Sequence, residues 1–265
     1  MTTPGEWLKS AKRIVVKIGS TSVTGDNEHK IDRLVDALAG AKQRGAEVVL
    51  VSSGAIATGM PLLDFEAKPT DLETFQALAA VGQFRLISKY QKSLERYSIV
   101  AGQVLLTVSD LEKQESRANA AKALERLLQL GALPIVNEND TVATTEIRFG
   151  DNDRLASLVA ILIRADALVL LSDVDGLYDM PPTNSSARLI SSVPFGSDLA
   201  KLEIGGTNTG FGTGGAITKV AAAQSCTAEG IGVVITSAEK VLETLSGDSL
   251  GTWFEPNPEI KISRD

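Results

Sequence analysis

Short apolar runs alternate along this chain with longer stretches whose apolar residues recur at helical spacing. The apolar runs predict buried strands at 13–19, 48–52, 99–107, 133–136, 167–171 and 232–235. The amphipathic stretches predict helices at 31–44, 115–130, 153–164 and 217–229, with one long helix or a broken pair within 70–97. Strands alternating with helices of this length predict an α/β fold, with a mainly parallel sheet covered on both faces.

The alternation weakens between Tyr178 and Phe211, where proline, serine and glycine are frequent. Because strands and helices resume afterwards, this segment is interpreted as an insertion or flap and not as a linker. We therefore expect a single domain over 1–265. In open α/β sheets, ligands bind beyond the carboxyl ends of the strands, so polar residues at those ends are the candidates for a site.

Composition narrows the class of protein. Lys and Arg total 26 against 33 for Asp and Glu, so no global basic field would attract nucleic acid. Cys226 is the single cysteine, which excludes an intrachain disulfide and favours a cytoplasmic location. The apolar region 155–171 is interrupted by Arg164 and Asp166, and the charged N-terminal segment has no apolar core. The sequence thus predicts neither a membrane span nor a secretion signal.

Two acidic and amide-rich clusters lie in the middle of the chain, at 137–140 and 151–153. The first cluster, Asn-Glu-Asn-Asp, follows a predicted strand directly, which places it where ligands bind. Asp accepts hydrogen bonds and Asn both accepts and donates, so together they suit a ligand with an ammonium and a carboxylate on one carbon. An α-amino acid fits that description, while helix capping and turn formation remain the alternative explanation.

Other strand ends carry residues suited to a phosphate. Lys17 lies inside an apolar strand that ends in Gly19 and hydroxyl residues, although a lysine at the sheet edge would look the same. The loop Ser52-Ser53-Gly54 follows the next strand in the same way, with a capped turn as the alternative.

Two loops in the second half of the chain point to a nucleotide. Ser172, Asp173 and Asp175 follow a very apolar strand and could hold a ribose or hydrated Mg²⁺. A glycine-rich stretch at 210–215 precedes a predicted helix with Lys219 in its first turns, and amides, a helix N-terminus and a lysine together form an anion site. A flexible loop before a helix is the alternative.

Chemistry that depends on histidine is disfavoured. His29, the single histidine, lies in a polar segment and is interpreted as a solvated loop residue. Cys226 lies within a predicted helix and is interpreted as a small core residue. A serine or cysteine nucleophile activated by histidine is therefore not expected.

Taken in chain order, these motifs resemble the amino acid kinase superfamily over about residues 13 to 237. The motifs that carry the resemblance are 15–20, 51–55, 137–140, 149–153, 172–178 and 212–215. The two central clusters most closely resemble the superfamily members that act on glutamate. The resemblance implies a three-layer α/β/α sandwich in which the N-terminal part binds the amino acid and the C-terminal part binds ATP.

The resemblance also implies an activity and roles for individual residues. The activity is ATP-dependent phosphorylation of the glutamate γ-carboxylate, the first step of proline synthesis, with Mg²⁺ bound mainly through the nucleotide phosphates. Catalysis would rest on Lys17, Lys219 and Asp173, with Asp173 organising the two lysines. Glutamate would be held by Ser53, Asp140 and Asn152. The nucleotide would be held by Lys17, Ser172, Asp173, Thr213, Gly214, Gly215, Ala216, Ile217, Thr218 and Lys219. Relatives suggest a homodimer or homotetramer and feedback inhibition by proline.

The chain departs from the superfamily pattern in a few places. Ala216 replaces a common methionine, Ser172 replaces a common threonine, and 179–182 lacks an Asp-Pro-Arg found in many relatives. Because the sequence ends at Asp265, we expect a form without the C-terminal PUA domain of many bacterial relatives.

Two other functions are compatible with the motifs. One is a superfamily kinase acting on acetylglutamate, aspartate, carbamate, a uridine nucleotide or an isoprenoid phosphate; phosphate-bearing acceptors are disfavoured because no extra Arg or Lys accompanies the central clusters. The other is a non-catalytic sensor of amino acids or nucleotides. Retention of Lys17, Lys219 and Asp173 argues against a sensor, which has no need of phosphoryl-transfer groups.

Overall fold

A computed structural model describes residues 3–142, 152–199 and 215–264. Within these ranges the strands are β1 (Arg13–Ile18), β2 (Glu47–Ser52), β3 (Ala101–Leu106), β4 (Leu133–Glu138), β5 (Ala167–Ser172), β6 (Ser192–Val193), β7 (Gly232–Ser237) and β8 (Thr252–Phe254). They form one sheet in the order β3-β4-β2-β1-β5-β7-β8-β6. Pairing is parallel throughout except between β7 and β8, which confirms the predicted mainly parallel sheet.

Helices cover both faces of the sheet. Those in the described residues are α1 (Pro4–Ser10), α2 (Lys30–Gln43), α3 (Ala55–Gly59), α4 (Leu72–Leu94), α5 (Val108–Glu112), α6 (Gln114–Gln129), α7 (Asn152–Leu162), α8 (Ala216–Ala228) and α9 (Val241–Leu245). One core lies between the sheet and α6, α7 and α8, and the other lies between the sheet and α1, α2, α4 and α9. Alternate β1 residues divide between the cores, with Val15 in the first and Ile14 and Val16 in the second. The predicted α/β/α sandwich is therefore confirmed.

The segment 70–97 forms one long helix, α4, and a short 3₁₀ turn at Glu95–Tyr97 follows it. The Asp71 carboxylate accepts a hydrogen bond from the backbone N–H of Thr74 and caps the helix start. The helix is continuous, so the expectation of one long helix is correct and that of a broken pair is not.

Helix α4 crosses the short helix α3 with the two backbones in direct contact. A Cβ atom on Gly82 would lie 1.8 Å from the carbonyl oxygen of Ala55, and one on Gly59 would lie 2.1 Å from the carbonyl oxygen of Leu78. Only glycine fits at both positions. Because α3 follows the loop at the end of β2, this crossing sets the position of that loop.

Part of the predicted insertion joins the sheet. Tyr178 forms an antiparallel bridge with Leu189, and β6 pairs with β8 at the edge of the sheet. The hydroxyl of Thr252 accepts a hydrogen bond from the backbone N–H of Leu177 and donates to the carbonyl of Ile190, which ties both arms of the insertion to β8. Within the described ranges, no helix has the length and apolar character needed to cross a bilayer.

Candidate active site

The polar residues singled out from the sequence meet at the carboxyl ends of the central strands. Lys17 lies near the end of β1, Ser52 ends β2, Glu138 ends β4 and Ser172 ends β5. The N-terminus of α7 packs over these strand ends with Asn152 as its first residue. The polar groups expected to bind ligands thus lie at one edge of the sheet, and their binding of a ligand stays a prediction.

The Asp153 carboxylate joins the two lysines in the centre of this site. The Nζ atom of Lys17 lies 2.7 Å from Oδ1 of Asp153, and the Nζ atom of Lys219 lies 3.2 Å from Oδ2. The three residues are 3%, 0% and 6% exposed, in the order Lys17, Asp153 and Lys219. Two positive charges therefore share one buried negative charge, and the group retains a net positive charge that suits a polyanion.

The environment of this group shifts its pKa values. Burial alone would raise the pKa of Asp153, but the ammonium groups of Lys17 and Lys219 outweigh burial and lower it to about 2. Burial and the nearby charge of Lys17 lower the pKa of Lys219, while Asp153 and Asp173 oppose that shift. The carboxylate thus stays ionised at neutral pH and supports both cations.

Helix α8 brings Lys219 to this group. The Thr218 hydroxyl lies 2.7 Å from Oδ2 of Asp153 and 2.9 Å from the carbonyl oxygen of Gly215, the residue that precedes the helix. Thr218 and Lys219 therefore anchor the first turn of α8 to α7. Ala216 starts the helix, and Ile217 is exposed. Thr213 and Gly214 lie outside the described residues.

Asp173 occupies a more open position than Asp153. It is exposed beyond the end of β5, and the Ser172 hydroxyl donates a hydrogen bond to its Oδ1 at 3.1 Å. Its negative charge opposes in part the lowering of the Lys219 pKa that burial and Lys17 cause. The carboxylate in contact with both lysines is that of Asp153, which the sequence placed only in the cluster expected to bind the amino acid. The organising role of Asp173 stays a prediction.

Ser53 and Asn152, both expected to hold the amino acid, are in direct contact. Nδ2 of Asn152 lies 2.8 Å from the Ser53 hydroxyl, 2.9 Å from the Ser52 carbonyl oxygen and 2.9 Å from Oδ1 of Asn137. The backbone N–H of Ser53 donates to the carbonyl of Ile18, which holds the loop against β1. The loop after β2, the end of β4 and the start of α7 thus form one hydrogen-bonded unit.

Asp140 begins a 3₁₀ turn, Asp140–Val142, that packs against α4. Partial burial raises the pKa of this carboxyl to about 6. Among the described residues no lysine or arginine forms an ion pair with it. A desolvated carboxylate of this kind is favourably placed to receive an ammonium group, because such a ligand restores the charge balance. Asp151, from the second predicted cluster, lies outside the described residues.

His29 and Cys226, for which the sequence predicted no catalytic role, lie away from this site. His29 is exposed, and its Nδ1 atom contacts the carbonyl oxygen of Asp26. Cys226 is buried in the core beside α7, and burial raises the pKa of its thiol. Among the described residues, no three His, Cys, Asp or Glu side chains gather in a group that could hold a metal ion by themselves.

Asp153 is the residue that the sequence interpretation missed. Its only sequence signal was its place as the last member of the cluster at 151–153, two positions before the apolar run that begins at Leu155. Lys17 and Lys219 come from elements that are 202 positions apart in the chain. Their meeting at one carboxylate depends on strand order and helix placement, which residue spacing does not reveal.

Comparison with known proteins gives consistent results. The amino acid kinase family matches residues 12–237. A glutamate 5-kinase of Clavibacter sepedonicus is 62% identical over 94% of this chain and 96% of the relative. The glutamate 5-kinase of Leifsonia xyli subsp. xyli is 58% identical over 96% of this chain and 95% of the relative. The glutamate 5-kinase of Corynebacterium diphtheriae is 50% identical over 95% of this chain but 68% of the relative.

Solved structures with the same fold are more distant in sequence. Carbamate kinase from Giardia lamblia, bound to AMP-PNP, superposes with a TM-score of 0.65 at 16% identity, over 94% of this chain and all of that one. UMP kinase from Bacillus anthracis superposes with a TM-score of 0.63 at 14% identity, over 93% of this chain and 97% of that one. The fold, the geometry at the strand ends and the sequence relatives agree: the chain belongs to the amino acid kinase family and, within it, to the glutamate 5-kinases.

Proposed function

We propose that this protein transfers the γ-phosphoryl group of ATP to the γ-carboxylate of L-glutamate. An oxygen of the carboxylate forms a bond to the γ-phosphorus while the bond from that phosphorus to the β,γ-bridging oxygen breaks, which yields L-glutamyl 5-phosphate and ADP. This reaction is the first step of proline biosynthesis. The observation that carries the proposal is the buried contact of Lys17 and Lys219 with Asp153, next to the unit formed by Ser53 and Asn152.

The reaction needs positive charge more than it needs a base. A glutamate γ-carboxylate has an ordinary pKa of about 4.3 and is already a nucleophile at neutral pH. The difficulty lies in bringing this anion close to the triphosphate. Lys17 and Lys219 reduce the repulsion and stabilise the charge that spreads over the transferred group. Asp153 holds both ammonium groups in place before the substrates arrive, so that little reorganisation is needed during the reaction.

The acceptor is held by groups on the N-terminal side of the site and by α7. Asp140 receives the α-ammonium group of glutamate, and the Ser53 hydroxyl contributes a further hydrogen bond. Oδ1 of Asn152 is buried without a hydrogen-bond partner among the described residues, so it can accept from the same ammonium group. A buried acceptor left unpaired costs about 1–3 kcal/mol, which favours a ligand that pairs it.

The nucleotide lies on the C-terminal side. Ser172 and Asp173 at the end of β5 contact it there, with the segment from Thr213 to Lys219 around the phosphates. The N-terminal turn of α8 presents backbone N–H groups, which suit phosphate oxygens. An exposed Asp173 carboxylate beside a hydroxyl fits Mg²⁺ carried mainly by the nucleotide. When bound, Mg²⁺ neutralises phosphate charge.

An acceptor panel tests this assignment. ADP release is measured with L-glutamate, L-aspartate, N-acetyl-L-glutamate and carbamate at equal concentrations. We expect turnover on L-glutamate, because acetylation removes the positive charge that Asp140 requires, and aspartate is one methylene too short to reach the phosphoryl group. Turnover on acetylglutamate or aspartate without turnover on L-glutamate would refute the assignment. In the same assay, Lys219→Ala loses most of its kcat and still binds glutamate; unchanged turnover would refute the role of Lys219.

Assembly and regulation belong to the same proposal. The solvent face of α4 carries Val81 and Phe84, 37% and 75% exposed, and the exposed Leu62, Leu63 and Phe65 precede the helix in the chain. Exposed apolar residues on one helix and in the segment just before it favour a homodimer or homotetramer. Light scattering of the wild type and of Phe84→Glu tests the assembly, and a monomeric wild type would refute it. We place the enzyme in the cytoplasm and expect inhibition by proline; unchanged activity at high proline concentration would refute the inhibition.

A further inference from the structure

We propose that Gln83 of α4 is a positioning residue for the amino acid: it holds the Asn137 side chain in place, so that the Asn137 oxygen stays against the Asn152 amide. Oε1 of Gln83 lies 2.6 Å from Nδ2 of Asn137, and Oδ1 of Asn137 lies 2.9 Å from Nδ2 of Asn152. The three residues are 8%, 2% and 3% exposed in that order. This role rests on the proposed function, since Asn152 is assigned to glutamate there.

Backbone groups fix the direction of every amide in this chain of contacts. The Asn137 atom 2.9 Å from the backbone N–H of Glu138 must be an oxygen, because that N–H can only donate. The Asn152 atom 2.9 Å from the Ser52 carbonyl oxygen must be a nitrogen, because a carbonyl only accepts. The amide nitrogen of Asn137 therefore faces Gln83, which must present its oxygen. No other set of amide orientations satisfies all these contacts.

The consequence falls on the unpaired oxygen of Asn152. With its nitrogen held by Ser52 and Asn137, the amide cannot turn, and Oδ1 remains available for the ligand. Without Gln83, the buried Nδ2 of Asn137 loses its acceptor. Rotation of the amide cannot restore an acceptor, because it would turn Nδ2 towards the backbone N–H of Glu138 and the amide nitrogen of Asn152, which both donate. The Asn137 side chain is therefore expected to shift towards another acceptor. This shift would weaken the contact of Asn137 with Nδ2 of Asn152 and displace Oδ1 of Asn152, the acceptor for the α-ammonium group.

Helix α4 is a suitable support for this arrangement. Gly82, next to Gln83, makes the close backbone contact with α3. Tyr90 lies seven positions after Gln83, on the same face, and its hydroxyl is 2.9 Å from the Ser52 hydroxyl. Helix α4 thus contacts the end of β2 through Tyr90, packs against α3 at Gly82, and contacts the amide of Asn137 through Gln83.

The test compares variants at two glutamines of the same helix. Gln83→Met removes the acceptor with a side chain of similar shape, and Gln83→Glu keeps an oxygen at the same place. Gln91→Met is the matched control, because Gln91 also bonds through its amide, but to the backbone of Ala101 and Ile99 away from the site. For each variant we measure kcat, the KM values for L-glutamate and ATP, and the thermal unfolding midpoint. Inhibition by glutarate, which lacks the ammonium group, supplies the specific readout.

In Gln83→Met, the KM for L-glutamate is expected to rise about tenfold, while kcat and the KM for ATP change less than about twofold. The Ki of glutarate is expected to stay within about twofold of the wild-type value, because glutarate has no ammonium group for Oδ1 of Asn152 to bind. Gln83→Glu restores most of the affinity, and Gln91→Met keeps the wild-type KM. If Gln83→Met does not fold, Gln83→Leu serves in its place.

Two results would overturn the positioning role. One is an unchanged KM for L-glutamate in Gln83→Met. The other is an equal loss of glutamate and glutarate affinity, since general distortion of the site would weaken both. A wild type that releases no ADP with L-glutamate would instead refute the proposed function, so the two failures are distinguishable.

Discussion

Lys17 and Asp153 form a buried ion pair, 2.7 Å between Nζ and Oδ1, with side chains 4% and 0% exposed. A buried pair of this kind adds little to stability by itself, because desolvation offsets the attraction. The pair instead positions charged groups, because the Asp153 carboxylate is also 3.2 Å from Nζ of Lys219. The Asp153 carboxylate therefore fixes the position of the two cations that we propose contact the transferred phosphoryl group.

Asp153→Asn is expected to lower kcat about 10²- to 10³-fold, the loss typical of removing one preorganised electrostatic group. The reason is that two neighbouring ammonium groups lose their shared counterion and move apart. Breaking a buried pair also costs about 3–5 kcal/mol of unfolding free energy, so chemical denaturation is measured beside kcat.

Glu112→Gln is the control for this substitution. It removes a carboxylate whose pair with Arg154 is exposed, 57% and 61% on the two side chains, so activity and stability should stay close to wild type. An Asp153→Asn variant with wild-type kcat would contradict the role of the shared carboxylate.

Glutamate binding is expected to weaken below pH about 6. Burial raises the pKa of Asp140 to about 6, and only the ionised carboxylate attracts the α-ammonium group. As the pH falls through that value, kcat/KM for glutamate should fall about tenfold per unit. The γ-carboxylate of glutamate, with an ordinary pKa of about 4.3, remains ionised over most of this range.

The raised pKa of Asp140 also affects folding stability. Ionisation of Asp140 favours glutamate binding but lowers the stability of the free protein. Because the folded pKa of Asp140 lies above the ordinary aspartate pKa of 3.8, the ionised group destabilises the free protein. Its contribution favours folding below the unfolded pKa and is lost as the pH rises through about 6. Asp140→Asn should therefore raise the KM for glutamate, remove the inflection near pH 6 and increase stability at neutral pH. An inflection that persists in Asp140→Asn would assign it to another group.

Gly82→Ala is expected to separate α3 from α4. The new Cβ would lie 1.8 Å from the carbonyl oxygen of Ala55, so one backbone must shift. Overpacking of this kind costs about 1–3 kcal/mol, and displacement of α3 should raise the KM for glutamate through the loop that contains Ser53.

Gly40→Ala provides the comparison for this change. Gly40 lies within α2, and its Cβ would meet only the end of the Arg44 side chain at 3.8 Å. Alanine there should leave KM unchanged and add about 0.5–1 kcal/mol of stability. Equal effects of the two substitutions on unfolding and KM would refute the importance of the crossing.

Much of the fold was predictable because periodicity records burial. The strands β1, β2, β4, β5 and β7 follow from apolar runs, since parallel strands buried on both faces lack alternation. The short strands β6 and β8 carry two and three residues, too few for a pattern, and α1 has seven. Their positions depend on tertiary contacts such as the bonds of Thr252 to Leu177 and Ile190.

The site was predictable in its residue types but not in all its partners. Ser53 and Asn152 were singled out from separate motifs, and the structure brings them within 2.8 Å. Asp153 and Gln83 lie on helices whose sequences look like ordinary amphipathic helices. Their partners are 136 and 54 positions away along the chain, at Lys17 and Asn137, so only the packing of α7 and α4 identifies them.

The most direct measurement is trapping of the acyl phosphate with hydroxylamine in a reaction containing L-glutamate, ATP and Mg²⁺. We predict γ-glutamyl hydroxamate in an amount equal to the ADP released, and a loss of both products in Asp153→Asn. ADP release without hydroxamate, or hydroxamate formed from acetylglutamate or aspartate but not from L-glutamate, would contradict phosphorylation of the glutamate γ-carboxylate.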